Sequence, residues 1–279
     1  MILRDKAQLS DDFERVGFVS PLPVMSVDEA TSVYDQLVLA EQSCGGRLPA
    51  VLNAKAHLLL PFLWDLVHDP RIVDPVRAVL GPDVLCWGSS FFSKDPGSAD
   101  YVPLHQDSTV WGLSEHSGLT VWLALTPSTE ETGCLQVVPG THRTTIQHIR
   151  RNSGSSMLPF GEEVTLTYDP DDRLSCPLAP GEMSMHHALL VHGSHANSSD
   201  AQRRVGFAIR YIPGHVHQVG GEKMYATHIC GKDHATAQKE RPPEAAMAPE
   251  ALVRHRRILS AAARVISQNA RDLPREEGK

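Results

Sequence analysis

The 279-residue chain reads as a mainly β fold with flanking helices, an α+β arrangement around a sandwich or barrel. Three observations predict this. Between residues 83 and 213 the chain is a series of short runs rich in Val, Leu, Trp, Phe and Thr. Gly, Pro, Asp and Ser punctuate these runs at fairly even spacing, as in all-β sandwiches and barrels. No helix of crossover length lies between them, which argues against a doubly wound parallel sheet. The organisation expected is one domain: a helical N-terminal flank at 1–82, a β core at 83–213, and a C-terminal loop and helix at 214–279.

The elements follow in order. Residues 9–18 form an opening helix with Phe13 and Val16 as its apolar points. Ser26, with Glu29 three residues on, is a capping box heading a helix through about Ala40. His57 to Leu80 makes two short helices split at Asp69-Pro70, and Gly81-Pro82 closes them. Strands are expected at Val84–Lys94, Leu119–Thr126, Leu135–Pro139, Val164–Tyr168, Glu182–His192 and Arg204–Ile212. Pro249 and Glu250 open a last helix, with Leu252, Ile258, Leu259, Ala262 and Ile266 on one face. The tail from Pro274 onward is expected to fray.

Composition narrows the function. A net charge of −7 gives no counterion-release advantage on DNA, so nucleic acid is not an expected partner. No apolar run approaches the roughly 18 residues that span a bilayer. The first residues lack the basic-then-apolar layout of a signal peptide. Five scattered cysteines without a CxxC pair fit neither a disulfide framework nor a thiolate zinc site, and point to a reducing cytoplasm. Monomer and homodimer both remain open.

The chemistry centres on His105-Gln106-Asp107. In extended chain, residues i and i+2 share a face, so a His nitrogen and an Asp oxygen can grip one cation. His192, at the end of an apolar strand in Leu190-Val191-His192-Gly193-Ser194, supplies a third ligand. Two histidines and one carboxylate form the facial triad of non-haem iron and leave one side of the metal open. Arg203 and Arg204, opening the next strand, offer a guanidinium for the distal carboxylate of a 2-oxo acid.

Several blocks extend this reading. His105-x-Asp107, the run Gly133-Cys134-Leu135-Gln136-Val137-Val138-Pro139-Gly140-Thr141-His142, Pro180-Gly181-Glu182, and His192-Gly193-Ser194 with Asn197 and a following Arg occur in that order. Together, over residues 57 to 213, the chain resembles the phytanoyl-CoA dioxygenase family, and its bacterial small-molecule branch most of all. The resemblance implies a double-stranded β-helix, a jelly-roll or cupin-like barrel. It also implies an Fe(II) enzyme that consumes 2-oxoglutarate and O2 and hydroxylates an unactivated C–H bond. His105, Asp107 and His192 match the iron ligands. Ser194 and Trp122 match positions lining the co-substrate pocket, and Lys55 lies in a segment that approaches the site. The chain has one extra residue before the arginine strand. Counting from His192 selects Arg203, and counting back from Tyr211 selects Arg204. Loops absorb insertions and strands do not, so Arg204 is preferred. The branch includes halogenases, whose carboxylate position holds a small residue. Asp107 fills that position here, so hydroxylation is expected. Substrates implied are an amino acid, an aminophosphonate or a natural-product intermediate. An acyl-CoA or carrier-bound substrate is the alternative, with the basic run 142–151 near its phosphates. A cupin-like binding barrel without oxygenase activity is the reading of another class.

Other residues read as structural. His186 and His187 are taken to lie on one strand with His192, His186 about 20 Å away from it at strand rise, and so outside the metal. His195 belongs to a rim or the surface, His215 and His217 to a solvated loop, and His142 to a structural turn. Trp111 reads as core. Specificity is expected from the irregular segments 45–60, 108–118, 145–160 and 213–235.

Overall fold

The computed structural model describes residues 6–151, 154–220 and 223–275. Among these residues six helices and thirteen strands follow in the order α1 (Lys6–Val16), β1 (Phe18–Pro23), α2 (Val27–Ser43), α3 (Ala50–Asn53), α4 (Pro61–Val67), α5 (Pro70–Leu80), β2 (Val84–Lys94), β3 (Val102–His105), β4 (Leu119–Ala124), β5 (Leu135–Val138), β6 (His148–Arg150), β7 (Glu162–Val164), β8 (Leu174–Cys176), β9 (Glu182–His187), β10 (Val191–Ser194), β11 (Arg204–Pro213), β12 (Tyr225–Cys230), β13 (Gln238–Lys239) and α6 (Pro249–Arg271).

Local chemistry sets the helix ends. Ser26 and Glu29 make the expected reciprocal cap on α2. Asp69 caps α5 by accepting from the Arg71 N–H, with Pro70 in the first turn where no amide hydrogen is needed. Gly81, at φ 88°, ends it.

The strands form a seven-stranded sheet, β1-β9-β4-β11-β2-β12-β13, and a four-stranded sheet, β3-β10-β5-β8. Pairing is nested and antiparallel: β2 with β11, β3 with β10, β4 with β9, β5 with β8. A long hairpin folded over so that successive pairs alternate between two sheets is a jelly roll, or double-stranded β-helix. The fold is therefore mainly β with flanking helices, as expected, in two facing sheets.

Period-two alternation assigns each sheet face. In β11, Val205, Phe207, Ile209 and Tyr211 are buried in the main apolar cluster, with Leu63, Val67 and Ile72 of the helices. Tyr211 Oη also donates to the carbonyl of Val67 at 2.8 Å. Each large side chain so buried contributes about 1.5–3 kcal/mol. The alternate residues Arg204, Ala208 and Arg210 instead face a cavity between the sheets.

Five features differ from expectation. The N-terminal flank contains β1, which pairs with β9, and the C-terminal segment contains β12, which pairs with β2, so both flanks extend the core sheet. Residues Glu182–His192 are two strands, because Ala188 and Leu189 turn the chain from one sheet into the other. The strand expected at Val164–Tyr168 is instead Glu162–Val164, paired with β6. The start of the tail is tied down: the Arg150 amide donates to the Pro274 carbonyl at 2.8 Å, while residues 276–279 lie outside the described residues. The five cysteines are unpaired. Among the described residues no helix is long and apolar enough to cross a membrane.

Candidate metal centre

His105 and His192 are direct cross-strand partners on β3 and β10, so pairing of the smaller sheet brings their rings together at 4.2 Å between centroids. Asp107 does not continue the strand. It begins a short 3-10 turn, Asp107–Val110, which folds its carboxylate back beside both imidazoles. Asp107 Oδ1 lies 3.4 Å from His105 Nε2 and 3.9 Å from His192 Nε2. One ligand atom from each of the three buried residues falls within 4.8 Å of the others.

Hydrogen bonds fix which atoms face inward. Nδ1–H of His105 donates to the Pro103 carbonyl and Nδ1–H of His192 to the Leu190 carbonyl, each at 2.9 Å. Both Nε2 lone pairs are left for an ion, and backbone partners of this kind set tautomer and ring orientation. Asp107 Oδ2 accepts from Thr120 Oγ1 at 2.6 Å, leaving Oδ1 toward the imidazoles. Burial works against charge on Asp107. The His105 and His186 side chains, then the charges of His192 and Arg210, outweigh it and hold the carboxyl well below its usual range. Burial and the neighbouring His105 and His186 push His192 well below the ordinary imidazole value. Burial also opposes charge on His105, but Asp107 prevails and raises it. The set fits a divalent ion: acceptors converge, donors point away, and one carboxylate supplies charge.

The larger sheet supplies the opposite wall. His186, Thr120 and Arg210 form one cross-strand row on β9, β4 and β11, and Ser184, Trp122 and Ala208 the next. Arg204 lies at the far end of the same cavity. It is 2% exposed, its guanidinium sits 5.1 Å from the Trp122 ring centroid, and it donates to the Gly133 carbonyl. Burial pushes its pKa down to about 10. A Cβ at Gly206 would lie 1.9 Å from the Trp122 ring, so only glycine admits the indole beneath the guanidinium.

Arg203 faces the other way. It makes a two-pronged pair with Glu41 of α2, at 2.7 and 2.9 Å. Strand β11 begins at Arg204, and Arg203 lies in the loop before it. Ser194 also lines the cavity and accepts from Lys94 Nζ at 2.7 Å.

Several site residues escaped the sequence reading, Thr120, Arg210, His186 and Lys94 among them. His186 is not some 20 Å from His192; their rings are 4.3 Å apart, and His186 Nε2 is 3.8 Å from Asp107 Oδ2. The break at Ala188-Leu189, without Gly or Pro to signal it, folds β9 back over β10. Lys94, cross-strand partner of Arg204, is fully buried, and burial with the nearby Arg204 charge pushes it down to about 6. It closes a strand run where a lysine reads as a solvated end.

The remaining histidines sit as expected. His195 is exposed, His215 pairs with Glu115 at 2.7 Å on the surface, and His142 Nε2–H donates to the Glu14 carbonyl at 3.0 Å. Trp111 is core, stacked on Trp87 at 4.6 Å. Lys55 reaches a second cavity, where it bonds Glu240 at 2.7 Å and the Tyr225 carbonyl at 3.0 Å.

Residues 41–205, more than half of the chain, match the family described as phytanoyl-CoA dioxygenase. A phytanoyl-CoA dioxygenase domain-containing protein 1 of Danio rerio is 29% identical over 154 residues, covering 53% of this chain and 52% of that protein. The chain thus spans about half the length of such curated relatives. Likeness to solved structures is more complete. The non-haem monooxygenase ThoJ, in its apo form, superposes with a TM-score of 0.85 at 27% identity, covering 95% of this chain and 99% of that one. CytC3 with Fe(II) and alpha-ketoglutarate superposes with a TM-score of 0.61 at 25% identity, over 87% and 96%. The matched span, which contains His105, Asp107, His192, Ser194 and Arg204, together with the shared jelly roll, makes the chain a member of the phytanoyl-CoA dioxygenase family.

Proposed function

We propose that this protein is an Fe(II)- and 2-oxoglutarate-dependent dioxygenase that hydroxylates a C–H bond of a small metabolite, with natural-product intermediates among the candidates. One observation carries the reading: three buried ligand atoms converge within 4.8 Å while a buried arginine lies at the far end of the same cavity. His105, Asp107 and His192 would hold iron. Arg204, stacked on Trp122 and beside Lys94 and Ser194, would take the distal carboxylate of 2-oxoglutarate. Bound together, iron and 2-oxoglutarate supply the oxidising power, with O2 as oxidant and succinate and CO2 as by-products; that chemistry is the cofactor's.

The chain's own residues bind, orient and exclude water. Pro103 and Leu190 carbonyls fix Nδ1–H on both imidazoles so that each Nε2 faces the ion, and Thr120 turns the carboxylate. Trp122 and the buried sheet faces keep bulk water from the reacting centre. Asp107 occupies a ligand position with a negative charge, which disfavours a halide there. The unpaired cysteines support a reducing, cytoplasmic location.

The test is spectroscopic. Anaerobic protein given Fe(II) and 2-oxoglutarate should develop a visible metal-to-ligand charge-transfer band, and His192→Ala should lose it. A band of full strength in that variant would remove His192 from the metal.

A further inference from the structure

A second cavity, of about 370 Å3, adjoins the metal site. Arg210 lines both cavities, so the two share it as a wall. Its position follows from register. It is the cross-strand partner of Thr120, the residue that holds Asp107, on one side, and of Gly88 on the other. Gly88 keeps this junction clear: a Cβ there would meet nothing within 4 Å. Register slips between Arg210 and Tyr211, leaving Trp87 as the extra residue of β2, and Trp87 lines the cavity. Bulges commonly re-aim side chains in this way. The far wall is the apolar face of α6, with Ile258, Ala262 and Val265.

Charge in this space is one-sided. Lys55, Lys223, Arg210 and Arg264 line it, and no carboxylate does among the described residues, although the chain carries a net −7. Lys55 is committed to Glu240, and Lys223 donates to the Ala235 carbonyl. Arg210, half-buried at the metal end, donates to Ser90 Oγ at 3.1 Å and stands 5.9 Å from the Phe92 ring centroid. Among the described residues it has no carboxylate within ion-pair reach. A half-buried guanidinium beside an apolar chamber suits a ligand that brings an anionic head and an apolar body.

Resting on the function proposed above, we infer that the substrate is an amphipathic anion: Arg210 holds its acidic head beside the metal ligands, and its apolar body runs between Trp87 and α6. Specificity then comes from the segments 45–60 and 213–235, as expected, and from α6, whose apolar stripe reads in the sequence as ordinary core. The segments 108–118 and 145–160 do not line this cavity.

The experiment compares octanoate, octylphosphonate and 1-octanol as probes by isothermal calorimetry on the full chain. It is run under nitrogen with Fe(II) and 2-oxoglutarate, and again without iron. Octanoate or octylphosphonate should bind at least about tenfold more tightly than octanol, the tighter of the two naming the head group. Arg210→Met should bring the anions to the level of octanol, with octanol unchanged, and Arg210→Lys should recover part of the difference. Gly88→Leu, which fills the junction, should weaken all three. Equal binding of octanol and both anions by the unsubstituted protein, or no binding of any, overturns the inference even if a variant fails to fold. So does anion binding unchanged in Arg210→Met. Loss of the charge-transfer band with anion binding intact would instead overturn only the iron assignment.

Discussion

Two adjacent arginines face opposite ways, one into the cavity and one onto a helix. Arg204 is buried over Trp122 at the end of the metal cavity, and Arg203 pairs with Glu41 outside it. Removing a buried cation that meets a carboxylate costs about 3 kcal/mol, or about a hundredfold in affinity. Arg204→Ala should therefore raise the apparent KM for 2-oxoglutarate by about that factor, whereas Arg203→Ala should lower the melting temperature and leave KM in place. The reverse pattern in steady-state kinetics would show that Arg203 turns inward. Lys94 adds a pH signature. Its folded pKa of about 6 leaves it mostly neutral above neutrality. A carboxylate arriving beside it favours the charged form, so binding takes up a proton, and affinity falls as pH rises above about 6. Calorimetry at pH 7.5 in buffers of different ionisation enthalpy should register uptake approaching one proton, lost in Lys94→Met. Binding with no proton uptake would remove Lys94 from the co-substrate pocket.

At the element scale, β11 works on both faces. Its odd residues anchor the helices and its even residues build the site, so a one-residue slip would exchange them. Gly206 is where the two roles meet, because Trp122 occupies the space of its missing side chain. Gly206→Ala must displace the indole, at about 1–3 kcal/mol. It should lower the melting temperature and weaken 2-oxoglutarate together; a variant with both unchanged would contradict the packing of Trp122 against this strand. The same elements show what was legible in the sequence. The capped helices, the long strands and the arginine register were readable, because capping chemistry, turn residues and alternation are local. The turn at Ala188-Leu189 was not, because it carries no turn residue and is dictated by the crossing between sheets. Treating β9 and β10 as one strand therefore placed His186 far from a site it borders. The strands β1, β3, β6, β8, β12 and β13 escaped because long-range pairing, not local propensity, makes them strands.

At the scale of the molecule, the two sheets divide the labour. The smaller sheet carries His105 and His192, with Asp107 just past its edge. The larger carries Arg204, Trp122 and Arg210. Their spacing sets the reach from His105, Asp107 and His192 to Arg204, and buried bonds between the flanks help hold that frame. Lys55 of the N-terminal flank pairs with Glu240 of the C-terminal segment, Thr227 of β12 donates to the same carboxylate at 2.7 Å, and His57 bonds Ser89 of β2 at 2.7 Å. Burial opposes charge on Glu240, but Lys55 and His57 hold its carboxyl at about 2, so the cluster stays ionic at neutral pH. These contacts also close one side of the chamber between β2 and α6.

If His105, Asp107, His192 and Arg204 hold iron and 2-oxoglutarate as proposed, this frame directs O2 onto that pair. Mass spectrometry of succinate formed by the Fe(II)-loaded protein under isotopically heavy O2 tests it most directly. Succinate should carry one heavy oxygen atom, in an amount matching the 2-oxoglutarate consumed. Iron-loaded protein that consumes no 2-oxoglutarate, or forms only unlabelled succinate, would contradict it.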